Sequence, residues 1–152
     1  MNDWGKETAS KLRAEAQSIA QEAAAQLHRE KLRNDQGPRL WNEVREHTKA
    51  KCANLNREYG EDVLTIMEVQ NRNLDVRFKA PSGKIHELKA TFEPSSANNA
   101  LHWKTSGHRM NESQAGSCEL TIKNDVVSLL SGAHPYTTES IAEKMLEDLL
   151  LG

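Results

Sequence analysis

The sequence predicts an α+β domain: two N-terminal helices, an antiparallel meander sheet of about six strands, and a C-terminal helix packed on the sheet. Three observations carry that prediction. Apolar residues recur at helical spacing as far as residue 59 with one Gly-Pro interruption, the period changes to two from residue 62, and helical spacing returns after residue 137.

Residues 8–33, TASKLRAEAQSIAQEAAAQLHREKLR, contain no Gly or Pro and are rich in Ala, Gln, Glu, Lys and Arg. Such residues lose little side-chain entropy on a helix, so a first helix is expected here. Leu12, Ala16, Ile19 and Ala23 recur at alternating steps of four and three and form a thin apolar stripe. The next stripe position is Gln26, with Leu27 beside it, so the heptad lapses. Asp35-Gln36-Gly37-Pro38 then reads as punctuation, because Pro is favoured at the first position of a helix and Gly fits the turn before it. The second helix carries Leu40, Trp41, Val44, Thr48, Cys52, Leu55 and Tyr59 on one broad face. Gly60 ends it, since Gly takes the left-handed conformation without steric cost. The expected organisation is an N-terminal helical extension over 1–36 and a single α+β domain over 37–152.

In the next segment, Leu74, Val76, Phe78 and Ala80 alternate with Asp75, Arg77 and Lys79, the pattern of a strand with one buried face. Pro81-Ser82-Gly83-Lys84 turns the chain into a second such strand, in which His86, Leu88, Ala90 and Phe92 alternate with polar residues. The segment before them, DVLTIMEVQ, is apolar on both faces and is expected to be covered on both sides. Strand-like runs follow at 100–105, 118–123 and 126–131, the last two separated by Asn124-Asp125, which favours a tight hairpin. In the C-terminal helix, Ile141, Met145 and Leu149 align, and Ser140 with Glu143, or Thr138, is expected to cap it.

At 152 residues the chain is about one domain long, enough to bury roughly 68–70% of its unfolded surface. Twenty basic residues against twenty-two acidic ones leave a net charge of −2. The charge is dispersed: residues 1–36 balance at zero, 37–60 carry +2 and 137–152 carry −3. That distribution argues against a nucleic-acid binder, which concentrates basic charge on one surface. No apolar run approaches the roughly 18 residues needed to span a bilayer. The expectation is a soluble, cytoplasmic protein whose two cysteines, Cys52 and Cys118, are reduced structural thiols.

No catalytic residue, metal ligand or cofactor is expected. Six histidines are present, but no HExxH or paired Cys/His spacing fixes a metal geometry. No GxSxG elbow positions a serine, and no glycine-rich loop precedes a Lys-Ser/Thr pair. The adjacent acids Glu61-Asp62 and Glu147-Asp148 read as solvated surface.

Two surfaces remain as candidates. In an up-and-down meander alternate connections share one end of the sheet, which would gather loops 81–84, 106–117 and 132–137. A small-molecule site there would use Lys84, His108, Arg109, Glu112, His134 and Tyr136, with Arg holding an anionic group and His moving a proton. The other candidate is the stripe of the first helix, Leu12, Ile19 and Leu27, which needs an apolar partner because isolated helices are marginal in water. The leading expectation is a non-catalytic binding or protein-interaction module, homodimeric through the N-terminal helix. A small-molecule-binding protein or weakly marked enzyme using the sheet end is the alternative.

Overall fold

The computed structural model describes residues 3–95, 100–107, 114–131 and 134–151, apart from the side chains of 68–70 and 134. Its elements are α1 (Asp3–Tyr59), β1 (Leu64–Gln70), β2 (Asn73–Lys79), β3 (Ile85–Phe92), β4 (Leu101–Ser106), β5 (Ala115–Lys123), β6 (Val126–Ser131), β7 (His134–Tyr136) and α2 (Thr138–Leu151). The strands form one antiparallel meander in sequence order. The α+β class and the C-terminal helix on the sheet agree with the sequence reading; two details differ.

The first correction concerns the N-terminus, where one helix of 57 residues replaces the expected two. Pro38 lies inside it. A proline there removes one backbone hydrogen bond and crowds the preceding turn, at a cost of about 3 kcal/mol in a helix interior. Tertiary anchors on either side of Pro38 offset that cost. On the N-terminal side, Gln36 donates to the Asp125 carbonyl at 2.9 Å and accepts from the Val127 amide at 3.0 Å. On the C-terminal side, the Trp41 indole donates to the Asn71 carbonyl at 2.7 Å and stacks on Phe92. Gly37 serves close approach, not a turn. A Cβ there would stand 3.2 Å from Phe92 Cζ and 3.5 Å from Leu120 Cδ1.

The second correction is a seventh strand, β7, which pairs Leu129 with Tyr136 and Ser131 with His134. It has only three residues, one of them Pro135, so no period of two can develop in it.

The sheet alternates as the sequence implies. Leu74, Val76, Leu88, Ala90 and Trp103 face the core, while Arg77 and Glu87 pair across the outer face at 3.2 Å. Both helices close the concave side: α1 touches β1, β5 and β6, and α2 touches β3, β4 and β7. Contact of one helix with β1 and also with β5 and β6 requires the sheet to curl around it. The helices run in the same direction, with Thr138 beside Glu43 and Lys51 beside Glu139 and Glu143. In β1, Leu64 and Ile66 join the core, but Thr65 is exposed and Met67 is half-buried. Cover on both faces of that strand, as expected from its composition, is therefore incomplete.

Local chemistry fixes the joints. Gly60 and Gly83 adopt φ of 89° and 86°, ending α1 and turning β2 into β3. Asn124 and Asp125 both take positive φ, as a two-residue hairpin with the twist of its strands demands. Asn56 clamps β1 onto α1, accepting from the Val63 and Leu64 amides and donating to the Leu64 carbonyl. The cap of α2 is Thr137, whose hydroxyl accepts from the Ser140 amide at 3.0 Å, in place of the expected Thr138 or Ser140.

Candidate interaction surface

Among the described residues, the longest uncovered apolar feature is the first half of α1. Its stripe begins at Leu12 and advances in steps of three or four through Ala16, Ile19, Ala23 and Leu27. The same progression continues through Glu30 and Asn34 to Gly37, Trp41, Val44, Thr48 and Cys52. At 3.6 residues per turn these positions form one continuous face. From Gly37 onward that face is buried against the sheet. Before it, the face is bare: Leu12, Ile19 and Leu27 are 60%, 63% and 66% exposed, and Trp4, on the flank of the stripe, is 76% exposed.

The helix persists without cover for a physical reason. Nucleating the first turn is the unfavourable step in helix formation, and the docked half supplies that nucleus. Extension through an Ala-rich segment then adds one hydrogen bond per ordered residue. His28, with Nε2 3.1 Å from Asp125 Oδ1, and the partly buried Leu32 mark where the helix meets the sheet. At that junction Glu30, Arg33, Asn34, Pro94 and Ser95 line a concavity of about 280 Å³.

Lys84 is exposed in the β2–β3 turn. His108, Arg109 and Glu112 lie outside the described residues, and the side chain of His134 is likewise not described. Tyr136 belongs to β7, and its ring packs against the core beside Leu129. Gly107 lies against the start of β3, where an added Cβ would collide with the Ile85 carbonyl oxygen. Close to this end, Leu55, Tyr59, Val63, Phe78, Pro81 and Leu150 line an apolar concavity of about 250 Å³. Sequence reading missed it, because its walls come from four separated segments.

Asp148 corrects the reading of Glu147-Asp148 as solvated surface. It is 7% exposed and accepts a 2.9 Å hydrogen bond from the Trp103 indole. Lys144 lies 3.0 Å from its other oxygen, and that carboxylate raises the Lys144 pKa above the ordinary lysine value. Lys51 is raised in the same way, first by its hydrogen bond to Glu143 and then by that to Glu139. Both cysteines are free and buried. Desolvation pushes the Cys52 thiol up to about 12 and that of Cys118 to about 11. Among the described residues no group of three or more His, Cys, Asp and Glu is arranged to hold a metal ion. None of the described helices is long and apolar enough to cross a membrane.

Compared with family models, curated proteins and solved structures, the chain matches none of them.

Proposed function

We propose that this chain is a non-catalytic interaction module, with the helix–sheet body as its base and the first half of α1 as its docking arm. One observation carries the reading: the arm's stripe lies on the same helical face that the body buries from Gly37 onward, yet Leu12, Ile19 and Leu27 stand in solvent. A helix face of this kind contributes its burial energy only when another apolar surface covers it. The described hydrogen bonds and ion pairs of residues 3–27 stay within α1, so the arm stabilises its own fold little.

Sedimentation and thermal unfolding of the intact chain, compared with a chain starting at His28, test the proposal. The shorter chain is expected to melt at an unchanged temperature and to lose the association that the intact chain shows. Identical monomeric masses for the two chains would remove the role assigned to the arm.

A further inference from the structure

We propose that the partner of the arm is the arm of a second copy, turned end for end about a two-fold axis beside Ile19. This inference rests on the interaction reading and names its partner. The stripe is symmetric about a point between Ile19 and Ala20. Leu12 and Leu27 are equidistant from that point, and so are Ala16 and Ala23. Antiparallel pairing therefore sets Leu12 against the partner's Leu27 and Ala16 against the partner's Ala23, large against large and small against small. The alanines let the two backbones approach closely, and an interface that repeats itself in this way is what a two-fold dimer requires.

The chain's own sheet excludes the parallel arrangement. From Gly37 the striped face is covered by Phe92 and Leu120, so a helix running alongside in the same direction would collide with the sheet. In the antiparallel arrangement the partner's Gly37 falls opposite position 2, well past Leu12, and the two bodies stand at opposite ends of the pair.

The flanks agree with the stripe. Trp4 and Arg33 lie on the same side of it, and in an antiparallel pair like flanks meet. The exposed Trp4 ring thus reaches the partner's junction concavity, where Arg33 and Pro94 offer a cation and an apolar wall. On that same flank Glu15 meets the partner's Glu22, a mild like-charge contact. A contact strip about 48 Å long and about 10 Å wide presents roughly 500 Å² per copy. That is below the roughly 800 Å² per partner of a standard interface, so the dimer is reversible.

Cross-linking of full-length single-cysteine variants tests the register. The buried native thiols, pushed up to about 12 and about 11, do not compete near neutral pH. Ile19→Cys is expected to form a disulfide with itself on mild oxidation. Leu12→Cys is expected not to do so alone, but to cross-link when mixed with Leu27→Cys. Glu15→Lys, which faces the partner's Glu22, is expected to tighten the dimer roughly three- to tenfold. Self-cross-linking of Leu12→Cys as efficient as that of Ile19→Cys would mean a parallel pair, overturning the register while the interaction reading stands. An intact chain that remains at 17.1 kDa, with no variant cross-linking, would overturn the second copy as partner.

Discussion

Phe92 Cζ lies 3.2 Å from where a methyl group on Gly37 would sit, so the one glycine in the middle of α1 is held there by a ring across the core. Phe92 has little room to yield, because it stacks on Trp41 with centroids 5.6 Å apart and planes 8° from parallel. Alanine is the better helix former by about 0.8–1.0 kcal/mol, but overpacking a filled core costs about 1–3 kcal/mol. Gly37→Ala is therefore expected to lower stability by about 1 kcal/mol in chemical denaturation. Gly5→Ala is the control, since nothing lies within 4 Å of a Cβ there. It should raise helicity by circular dichroism without lowering the melting temperature.

Pro38→Ala tests the continuity of α1. In an unbroken helix the new amide gains the Asn34 carbonyl, and stability rises by about 1–3 kcal/mol. A proline that opened a separate helix would give no such gain, because its missing amide would have had no helical partner.

The Trp103 indole covers Gly116, where a Cβ would overlap the ring, at 2.1 Å from Cζ2. The same indole satisfies the buried Asp148 carboxylate. Gly116→Ala is expected to cost about 3 kcal/mol, the upper part of the overpacking range. Trp103→Phe should cost about 1.5–3 kcal/mol by leaving one carboxylate oxygen without its donor. Urea unfolding monitored by far-UV circular dichroism reads both.

Stability should fall in alkali. Burial raises both thiols and two glutamates raise Lys51, so each group holds its proton more tightly folded than unfolded. Their contribution is complete below the unfolded values, about 8.5 for a thiol and 10.4 for a lysine, and is lost as pH rises through the folded ones. The urea midpoint is expected to change little on their account between pH 6 and about 8, then to decline above about pH 9. The same burial predicts that Cys52 and Cys118 react with a thiol reagent at pH 8 only as fast as the chain unfolds.

Much of the body was legible in the sequence, because its signals are local. Alternation placed β2 and β3, Gly60 and Gly83 marked ends that need positive φ, and Asn124-Asp125 marked a hairpin. The features that escaped depend on distant partners. Gly37-Pro38 reads as a break until Phe92 and Leu120 are known to press on Gly37. Three-residue β7 exists only through its pairing with β6. Asp148 looks like solvated acid until Trp103 is placed above it. At the candidate surfaces, Leu12, Ile19 and Leu27 could be singled out because a stripe is periodic. The sheet-end group rested on loop positions, and Tyr136 turned out to be a strand residue against the core.

Ile19, exposed in its own chain, is central in the proposed pairing. Sedimentation equilibrium of the intact chain beside Ile19→Asp, over a range of concentrations, tests it most directly. A mass that rises above 17.1 kDa with concentration is expected for the intact chain, and a constant 17.1 kDa for an equally stable Ile19→Asp variant. The same mass for both chains at every concentration would contradict it.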